Sequence, residues 1–398
     1  MTQSFENFPF AIEFSDWTGR AYTLGKGEPH WYQEPLRIHI KTALAAKEIL
    51  SLNGIRFLER FLVGEAEIDG NIYLLNLTRK YLALNLSWLQ YLGARLKHSK
   101  FQTLCRAKVS VKSHYDIPQS ILDVYLDSVY KSYSCAFFQD PRFAGVEEVT
   151  SEGKGEGDTF DSLEKAQWRK FKDAIDFIEP AESDSILDIG CGYGGQLVVA
   201  LESGSARRIV GWTLSENQVR IGKGMLSRFD PARWEINEGD YREDNRVYDH
   251  ITSTGMVSHV GPRGLAPYVR NIRKRIKSGG RYVHHSLMNI DSDTALDAQV
   301  GAAYNKRYIW PGFHWFSLSE HIRALEQNGF RITRLTDCSP HYTKTLVAWY
   351  ERFMANQEYL SEAMGVHTFR AWRIYLGGSA GSVDVGMFRV CRLYCQAI

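Results

Sequence analysis

No apolar stretch of the 398-residue sequence approaches the ~20 residues that a membrane-spanning helix needs. The nearest candidate, Tyr81 to Ala94, follows Arg79-Lys80 and carries Asn85 and Gln90, which fits a buried or interfacial helix. The N-terminus, Met1-Thr2-Gln3-Ser4-Phe5-Glu6, lacks a basic segment followed by an apolar core, so no secretory signal is expected. Cysteine is sparse. Six residues, scattered without paired spacing, make neither a disulfide framework nor a zinc site, so no metal is expected and a reducing, cytoplasmic setting is the simplest reading. A charge excess is also missing: 48 basic residues stand against 46 acidic ones, which argues against a nucleic-acid binder. What remains is an ordinary globular composition, 44% hydrophobic and 24% charged, long enough for two domains or one enlarged one.

Residues 1–105 read as a small α+β domain without a catalytic motif. Strand-like runs come first (Phe10 to Phe14, then Leu36 to Ile40), and helical patterns follow at Ala43 to Asn53 and Ile72 to Ala94. From Arg95 to Lys112 the chain carries Arg95, Lys97, Lys100, Arg106, Lys108 and Lys112 with no acidic residue. This is either a solvated face or a patch attracted to anionic lipid headgroups, each basic residue contributing ~1 kcal/mol near such a surface. Gly145 to Asp158 reads as a loop, and the basic run Arg270 to Lys277 as the solvated face of a helix.

Residues 106–398 read as a second domain, and from about Ser185 its pattern becomes β-α-β. Strands are expected at Ser185–Ile189, Ile209–Thr213, Trp234–Ile236, Asp249–Ser253, Arg281–His285, Ile332–Asp337 and Val390–Ile398, mostly separated by helical stretches. Such alternation predicts an α/β, doubly wound, mostly parallel sheet that binds its ligand beyond the strands' C-terminal ends.

The run Leu187-Asp188-Ile189-Gly190-Cys191-Gly192-Tyr193-Gly194-Gly195 directly follows a strand and opens a helix. Its glycines, Gly190, Gly192 and Gly194 among them, let the backbone turn sharply and approach a ligand. The spacing also fits a dinucleotide fingerprint, so glycines alone do not separate NAD from S-adenosyl-L-methionine. Two further features do. Asp188 stands two residues before the first glycine, where a carboxylate can accept hydrogen bonds from the ammonium end of S-adenosylmethionine or its waters. The next strand ends Gly211-Trp212-Thr213, without the acidic residue that a dinucleotide's ribose requires.

Several motifs occur in one order: His114-Tyr115-Asp116-Ile117, Tyr133-Ser134-Cys135-Ala136, Leu163-Glu164-Lys165-Ala166-Gln167, the glycine run, Thr213-Leu214-Ser215-Glu216-Asn217-Gln218, Asp240-Tyr241-Arg242 and His341-Tyr342-Thr343-Lys344-Thr345-Leu346. From about His114 onward the chain resembles the cyclopropane-fatty-acyl-phospholipid synthase family, relatives of the mycolic acid cyclopropane synthases. The first hundred residues resemble the accessory domain of bacterial members more weakly. The resemblance implies cofactor contacts from Tyr133, Ser134, Gly190 and Gly192. It puts Thr213 and Gln218 near the ribose, and Tyr241 and Arg242 beside the adenine. It also implies an unsaturated phospholipid acyl chain as acceptor, a peripheral position on the inner face of the membrane, and often a homodimer.

The chemistry is demanding. An isolated alkene attacks a sulfonium methyl only in a close, dry, aligned approach, and the resulting carbocation must lose a proton. Family members hold bicarbonate as the base, and Cys135, His285 and Tyr342 match three of the side chains that hold it, with Leu287 at a main-chain contact. The family's glutamate is missing: its Glu-His-Val-Gly reads Ser258-His259-Val260-Gly261 here. Serine is short and neutral. Either bicarbonate still binds, helped by Ser258 and the extra His284, or the base differs and the product is a methyl-branched, methylene or methylated-diene chain, as in furan fatty acid synthesis, rather than a cyclopropane. His259 alone reads as a core histidine, and Tyr342 could instead cap the helix that follows it.

The aromatic stripe Tyr304, Tyr308, Trp310, Phe313, Trp315 and Phe316 is read either as core or as the wall of an acyl tunnel. Two other functions are compatible with the cofactor loop: a soluble small-molecule methyltransferase, and a non-catalytic lipid-binding relative that lost chemistry at Ser258.

Overall fold

The computed structural model describes residues 10–25, 34–51, 54–75, 117–139, 161–204, 206–290, 304–305, 307–310 and 313–398. The basic stretch Arg95–Lys112, the glycine-rich segment Gly145–Asp158, most of the Ile72–Ala94 pattern and the motif His114-Tyr115-Asp116 lie outside the described residues. The chain divides into two compact units: residues 1–94, 293–309 and 346–387, and residues 95–292, 310–345 and 388–398. The first unit is thus larger than the segment 1–105 expected from the sequence.

In the first unit, alternation builds the sheet. Leu36, Ile38 and Ile40 are buried while Arg37 and His39 face out. The strands β1 (Ile12–Asp16), β2 (Ala21–Leu24), β3 (Leu36–Ile40) and β4 (Ala66–Gly70) stand in the order β2-β1-β3-β4, with β1 and β3 parallel. The helix Val366–Asp384 buries most of its length, and that is why this unit claims a C-terminal segment. A Cβ at Gly377 would come within 2.4 Å of Ile72, so only glycine permits that approach.

The second unit carries a seven-stranded sheet. Its strands are β5 (Ser185–Ile189), β6 (Arg208–Thr213), β7 (Trp234–Glu238), β8 (His250–Thr254), β9 (Arg281–Met288), β10 (Phe330–Asp337) and β11 (Arg389–Ala397), in the order β10-β11-β9-β8-β5-β6-β7. β5 to β9 pair in parallel, and β11 runs antiparallel to both its neighbours. Its helices are α1 (Gln119–Tyr125), α2 (Leu163–Ile178), α3 (Gly195–Glu202), α4 (Glu216–Leu226), α5 (Leu265–Arg275), α6 (Leu318–Gln327) and the start of α7 (Ser339–Ala355).

Successive strand residues face opposite layers. Ile186 and Ile209 pack with Phe171, Leu197 and Val219, from α2, α3 and α4, whereas Leu187 and Val210 pack with Val269 and Leu325, from α5 and α6. The sheet is therefore covered on both faces. Sequence signals set the helix starts: Ser162 caps α2 by accepting from the Lys165 N–H, and Ser317 with Glu320 closes a capping box on α6.

One surface expectation fails. Arg275, read as part of a solvated basic face, is buried; its guanidinium donates to the Asp244, Arg242 and Asn271 carbonyl oxygens. Arg273 also turns inward, to the carbonyl oxygens of Ile276 and Ile398. These arginines satisfy loop carbonyls that would otherwise lack donors. Among the described residues no helix is long and apolar enough to cross a membrane.

Candidate functional site

The order of the sheet reverses direction at β5, with β6 on one side and β8 on the other, and such switch points open a crevice at the strands' C-terminal ends. Asp188 lies there. Its carboxylate is buried, accepts the Thr252 hydroxyl across β5 and β8 at 2.8 Å, and is pushed up to about 7 by burial, which Thr252 and Lys170 partly counter. The turn that follows is glycine by necessity. Gly190, Gly192 and Gly194 have φ of 74°, 56° and 87°, and the Gly190 and Cys191 N–H groups both donate to the Trp212 carbonyl at 3.0 Å. A Cβ at Gly190 would meet Met256 at 2.8 Å, whereas one at Gly192 would meet nothing within 4 Å. Gly194 caps α3 without a side chain.

Beyond β6, the Thr213 hydroxyl donates to Gln218 at 2.5 Å, and Ser215 caps α4 between them. Tyr241 and Arg242 behave differently from each other. The Tyr241 ring is buried edge-on against Tyr268, and Arg242 is clamped on both Asp240 oxygens at 2.7 and 2.6 Å.

On the other face of the sheet, residues 127–135 wrap round α2. Asp127 accepts the N–H groups of Tyr130, Lys131 and Ser132, which fixes the turn. Tyr133 lies between Tyr125 and Trp310, with ring centroids 6.0 and 5.2 Å away, and His259 stands 6.2 Å beyond Trp310. His259 is half-buried, and desolvation depresses it to about 4, so it stands neutral. The Ser134 hydroxyl and carbonyl are held by Lys170 and Gln167 at 2.9 Å each. Cys135 is buried, its thiol pushed up to about 12 by burial although Lys170 and Arg392 pull it down. Its Sγ lies 3.6 Å from the Cys338 carbonyl oxygen, and the Ala136 N–H donates to Thr345 at 3.0 Å.

Tyr342 is an interior residue of α7, one turn after Cys338, whose carbonyl accepts the Tyr342 N–H at 3.0 Å. It does not cap the helix. Its ring meets Phe388 edge-on, and Phe388 packs on Trp315. The aromatic stripe is divided: Tyr304 and Tyr308 belong to the first unit, and Trp310 to Phe316 to the second. Pro311 and Gly312 lie outside the described residues.

His285 sits on β9 opposite Thr254, and its carbonyl accepts the Gly255 N–H that starts the turn leading to Ser258. Its Nδ1 faces Arg392 Nε at 3.3 Å. An arginine only donates, so Nδ1 carries the lone pair and a neutral His285 must keep its proton on Nε2. Burial, then Arg392 and Lys170, hold His285 far below the usual histidine range, so it is neutral. Nε2–H has no partner among the described residues. The Ser258 hydroxyl is 95% buried and likewise unpartnered. The local fold thus leaves two donors open at one end of the sheet, with no acidic partner among the described residues.

Lys170, Arg392 and Asp173 were absent from the sequence reading. Arg392 donates to Asp173 at 2.5 Å and to the Lys170 carbonyl at 2.9 Å, while the Tyr394 hydroxyl donates to Asp173 at 2.6 Å. A signal existed: α2 buries Leu163, Ala166, Gln167, Lys170, Ala174 and Ile178, so a lysine occupies the apolar stripe.

This sheet order, glycine turn and switch-point carboxylate define a class I, S-adenosylmethionine-type methyltransferase fold. Residues 102–393 match the family described as mycolic acid cyclopropane synthetase, and the chain belongs to that family. Cyclopropane-fatty-acyl-phospholipid synthase of Escherichia coli K12 is 28% identical over 305 residues, covering 76% of this chain and 72% of that one. Sphingolipid C9-methyltransferase of Candida albicans is 29% identical over 308 residues, covering 74% of this chain and 56% of that longer one. Among solved structures, a mycolic acid cyclopropane synthase complexed with SAH and CTAB has a TM-score of 0.64 at 22% identity, covering 73% of this chain and 98% of that one. The chain is a S-adenosylmethionine-dependent enzyme of the lipid methyltransferase and cyclopropane synthase group. Its own residues fit that cofactor: a buried carboxylate, a glycine turn open where a Cβ would intrude, and a hydroxyl–amide pair at Thr213 and Gln218.

Proposed function

We propose that this enzyme methylates the double bond of an unsaturated phospholipid acyl chain, and that the proton then lost goes to a bound oxyanion such as bicarbonate, not to a side chain. The observation that carries the reading is the state of His285. Its Nδ1 is taken by Arg392 and its Nε2 already bears a proton, so it donates and cannot accept. Cys135 has a raised thiol, and Ser258 is neutral. A centre made of donors suits a ligand made of acceptors. Ser258 Oγ–H and His285 Nε2–H are the groups we assign to it, and Cys135 and Tyr342 are proposed to complete its site.

Tyr133, Ser134, Asp188, Gly190, Gly192, Gly194, Thr213, Gln218, Tyr241 and Arg242 are proposed to hold S-adenosylmethionine, which supplies an electrophilic methyl group when bound. The chain's own contribution is to exclude water and align the alkene, because a carbocation formed in a wet site would be trapped as an alcohol. Trp310, Trp315, Phe388 and Tyr342 give apolar surface for that purpose. With Ser258 where the family carries a carboxylate, we favour proton loss without ring closure: from the chain, giving a methyl-branched alkene or methylated diene, or, after a 1,2-hydride shift, from the delivered methyl, giving a methylene. The product is then a methyl-branched, methylene or methylated-diene acyl chain.

The test uses purified protein, methyl-labelled S-adenosylmethionine and vesicles of unsaturated phosphatidylglycerol or phosphatidylethanolamine, with mass spectrometry of the released acyl chains. Labelled acyl chains retaining an unsaturation are expected, with turnover that falls when bicarbonate is stripped. Label found only in soluble amines or phenols would end the lipid reading. A purely cyclopropane product would end the product assignment.

A further inference from the structure

Lys170 is fully buried in α2. Its ammonium donates to Ser132 Oγ and Gln167 Oε1 at 2.6 Å and to Ser134 Oγ at 2.9 Å. All three acceptors are neutral, and among the described residues no carboxylate forms an ion pair with it. The charged and titratable groups facing it are Asp127 from the wrapping loop, Arg392 from β11, Cys135, Asp188 from β5 and His285 from β9. Asp127 is already committed to three backbone N–H groups. Arg392 is a second cation.

An enclosed ammonium without a counter-ion is costly: burial first, then Arg392, drags Lys170 down to about 7 although Asp127 pulls the other way. The arrangement is nonetheless built: the two serines and the glutamine use all three N–H donors, and Gln167 returns an N–H to the Ser134 carbonyl at 2.9 Å. Ser134 is thereby locked at both ends while its side chain remains half-buried. Across the switch point stands the opposite pole, Asp188, a carboxylate with only the Thr252 hydroxyl as partner.

Two enclosed poles of opposite sign suit a zwitterion. We propose that Lys170, acting through the Ser134 hydroxyl, is the positioning residue for the α-carboxylate of the cofactor's amino-acid end, while Asp188 takes its α-ammonium. This rests on the cofactor assignment above and not on the lipid substrate or its product. Bicarbonate carries the same oxyanion chemistry, so the experiment separates the two.

Calorimetric titrations of the full chain and of Lys170→Met would use S-adenosylhomocysteine and 5′-methylthioadenosine, which keeps the adenosine and thioether but lacks the amino-acid end. Loss of a charge-assisted contact should weaken S-adenosylhomocysteine by about 10- to 100-fold and 5′-methylthioadenosine by less than about 3-fold. Equal weakening of both ligands, or of neither, overturns the proposal, since a merely structural lysine would not discriminate between them. Bicarbonate that competes with S-adenosylhomocysteine in the unmodified protein also overturns it, reassigning the lysine to the smaller anion. Should Lys170→Met fail to fold, Ser134→Ala carries the same comparison: a selective loss of about 5-fold or more for the homocysteine ligand supports the proposal, and no selectivity refutes it.

Discussion

His284 and His285 are neighbours on β9, both buried and both neutral, yet they face opposite sides of the sheet and are held in opposite tautomers. On the His284 side a chain of hydrogen bonds starts at the Ile189 carbonyl, which can only accept. Ser253 donates to it at 3.2 Å and Tyr268 to Ser253 at 2.7 Å. Tyr282 must then donate to Tyr268 at 3.2 Å, so the 2.7 Å contact requires a proton on His284 Nδ1. His284 Nε2 therefore accepts from His321 Nδ1 at 2.9 Å. On the His285 side the first group is a cation that can only donate, and the proton moves to Nε2. One histidine closes a core network that ends on the glycine turn; the other keeps an Nε2–H without a partner among the described residues, the donor proposed above for the bound oxyanion. The identity of the terminal partner, carbonyl or guanidinium, decides which.

The contrast breaks most severely at Arg392. Replacing it with methionine leaves Asp173 buried with the Tyr394 hydroxyl and the part-exposed Arg334, and releases the tautomer of His285. Chemical denaturation should show a loss of about 3–5 kcal/mol. A loss under about 1 kcal/mol would mean that the pair contributes nothing beyond a hydrophobic replacement. In the intact protein, ¹⁵N spectra should report Nε2–H for His285 and Nδ1–H for His284, and a shared tautomer would dissolve the comparison.

Exchanging the two histidines one at a time should separate stability from chemistry. His284→Phe removes a link between Tyr282 and His321 and should cost about 1–3 kcal/mol of stability while leaving turnover within about 3-fold. His285→Ala should lower turnover about 100-fold or more with S-adenosylhomocysteine binding unchanged. Equal turnover losses in both variants would place both histidines in the core and neither at the centre.

How much of this was legible in the sequence depends on what each signal reports. β5 was expected residue for residue, and β6 to β11 to within a few residues, because continuous apolar runs between helical patterns mark buried parallel strands. β2 was missed because Ala21–Leu24 buries nothing and so shows no alternation. Asp188 and the glycine turn were readable from backbone chemistry that only certain residues permit. Lys170 and Arg392 were not, because a lone cation in an apolar pattern looks like an interruption until its acceptors, distant in sequence, are in place. Ser132 lies 38 residues from Lys170 along the chain, and His285 lies 107 from Arg392.

Acid should act on both faces of the sheet. Burial depresses His259, His284 and His341 to about 4, and lowers His250, His285 and His321 as well. Their folded values lie below their unfolded ones, so between about pH 6.5 and 4 the unfolded chain binds more protons and stability falls as pH falls. Each fully buried histidine can contribute up to ~1.4 kcal/mol per pH unit. Asp188, raised to about 7, opposes this with one group's worth over the same window, and Lys170, lowered to about 7, acts only above it. Denaturation midpoints at pH 7, 6 and 5 should therefore drop steadily, and a flat profile would mean that the histidines are solvated.

The smallest change in stability, and the finest test of the centre, is at Ser258. Its hydroxyl is buried without a partner among the described residues, so Ser258→Ala should alter stability by less than about 0.5 kcal/mol. The same variant should nonetheless raise the bicarbonate concentration needed for half-maximal turnover, because one of the two donors proposed for the oxyanion has gone. Ser258→Glu introduces a carboxylate at the proposed oxyanion site and, if that reading holds, should shift the acyl product towards the cyclopropane. If the lipid profile stays the same while the carboxylate is demonstrably folded in, the missing acid is not what directs the proton, and the choice of product must lie in how the alkene is seated.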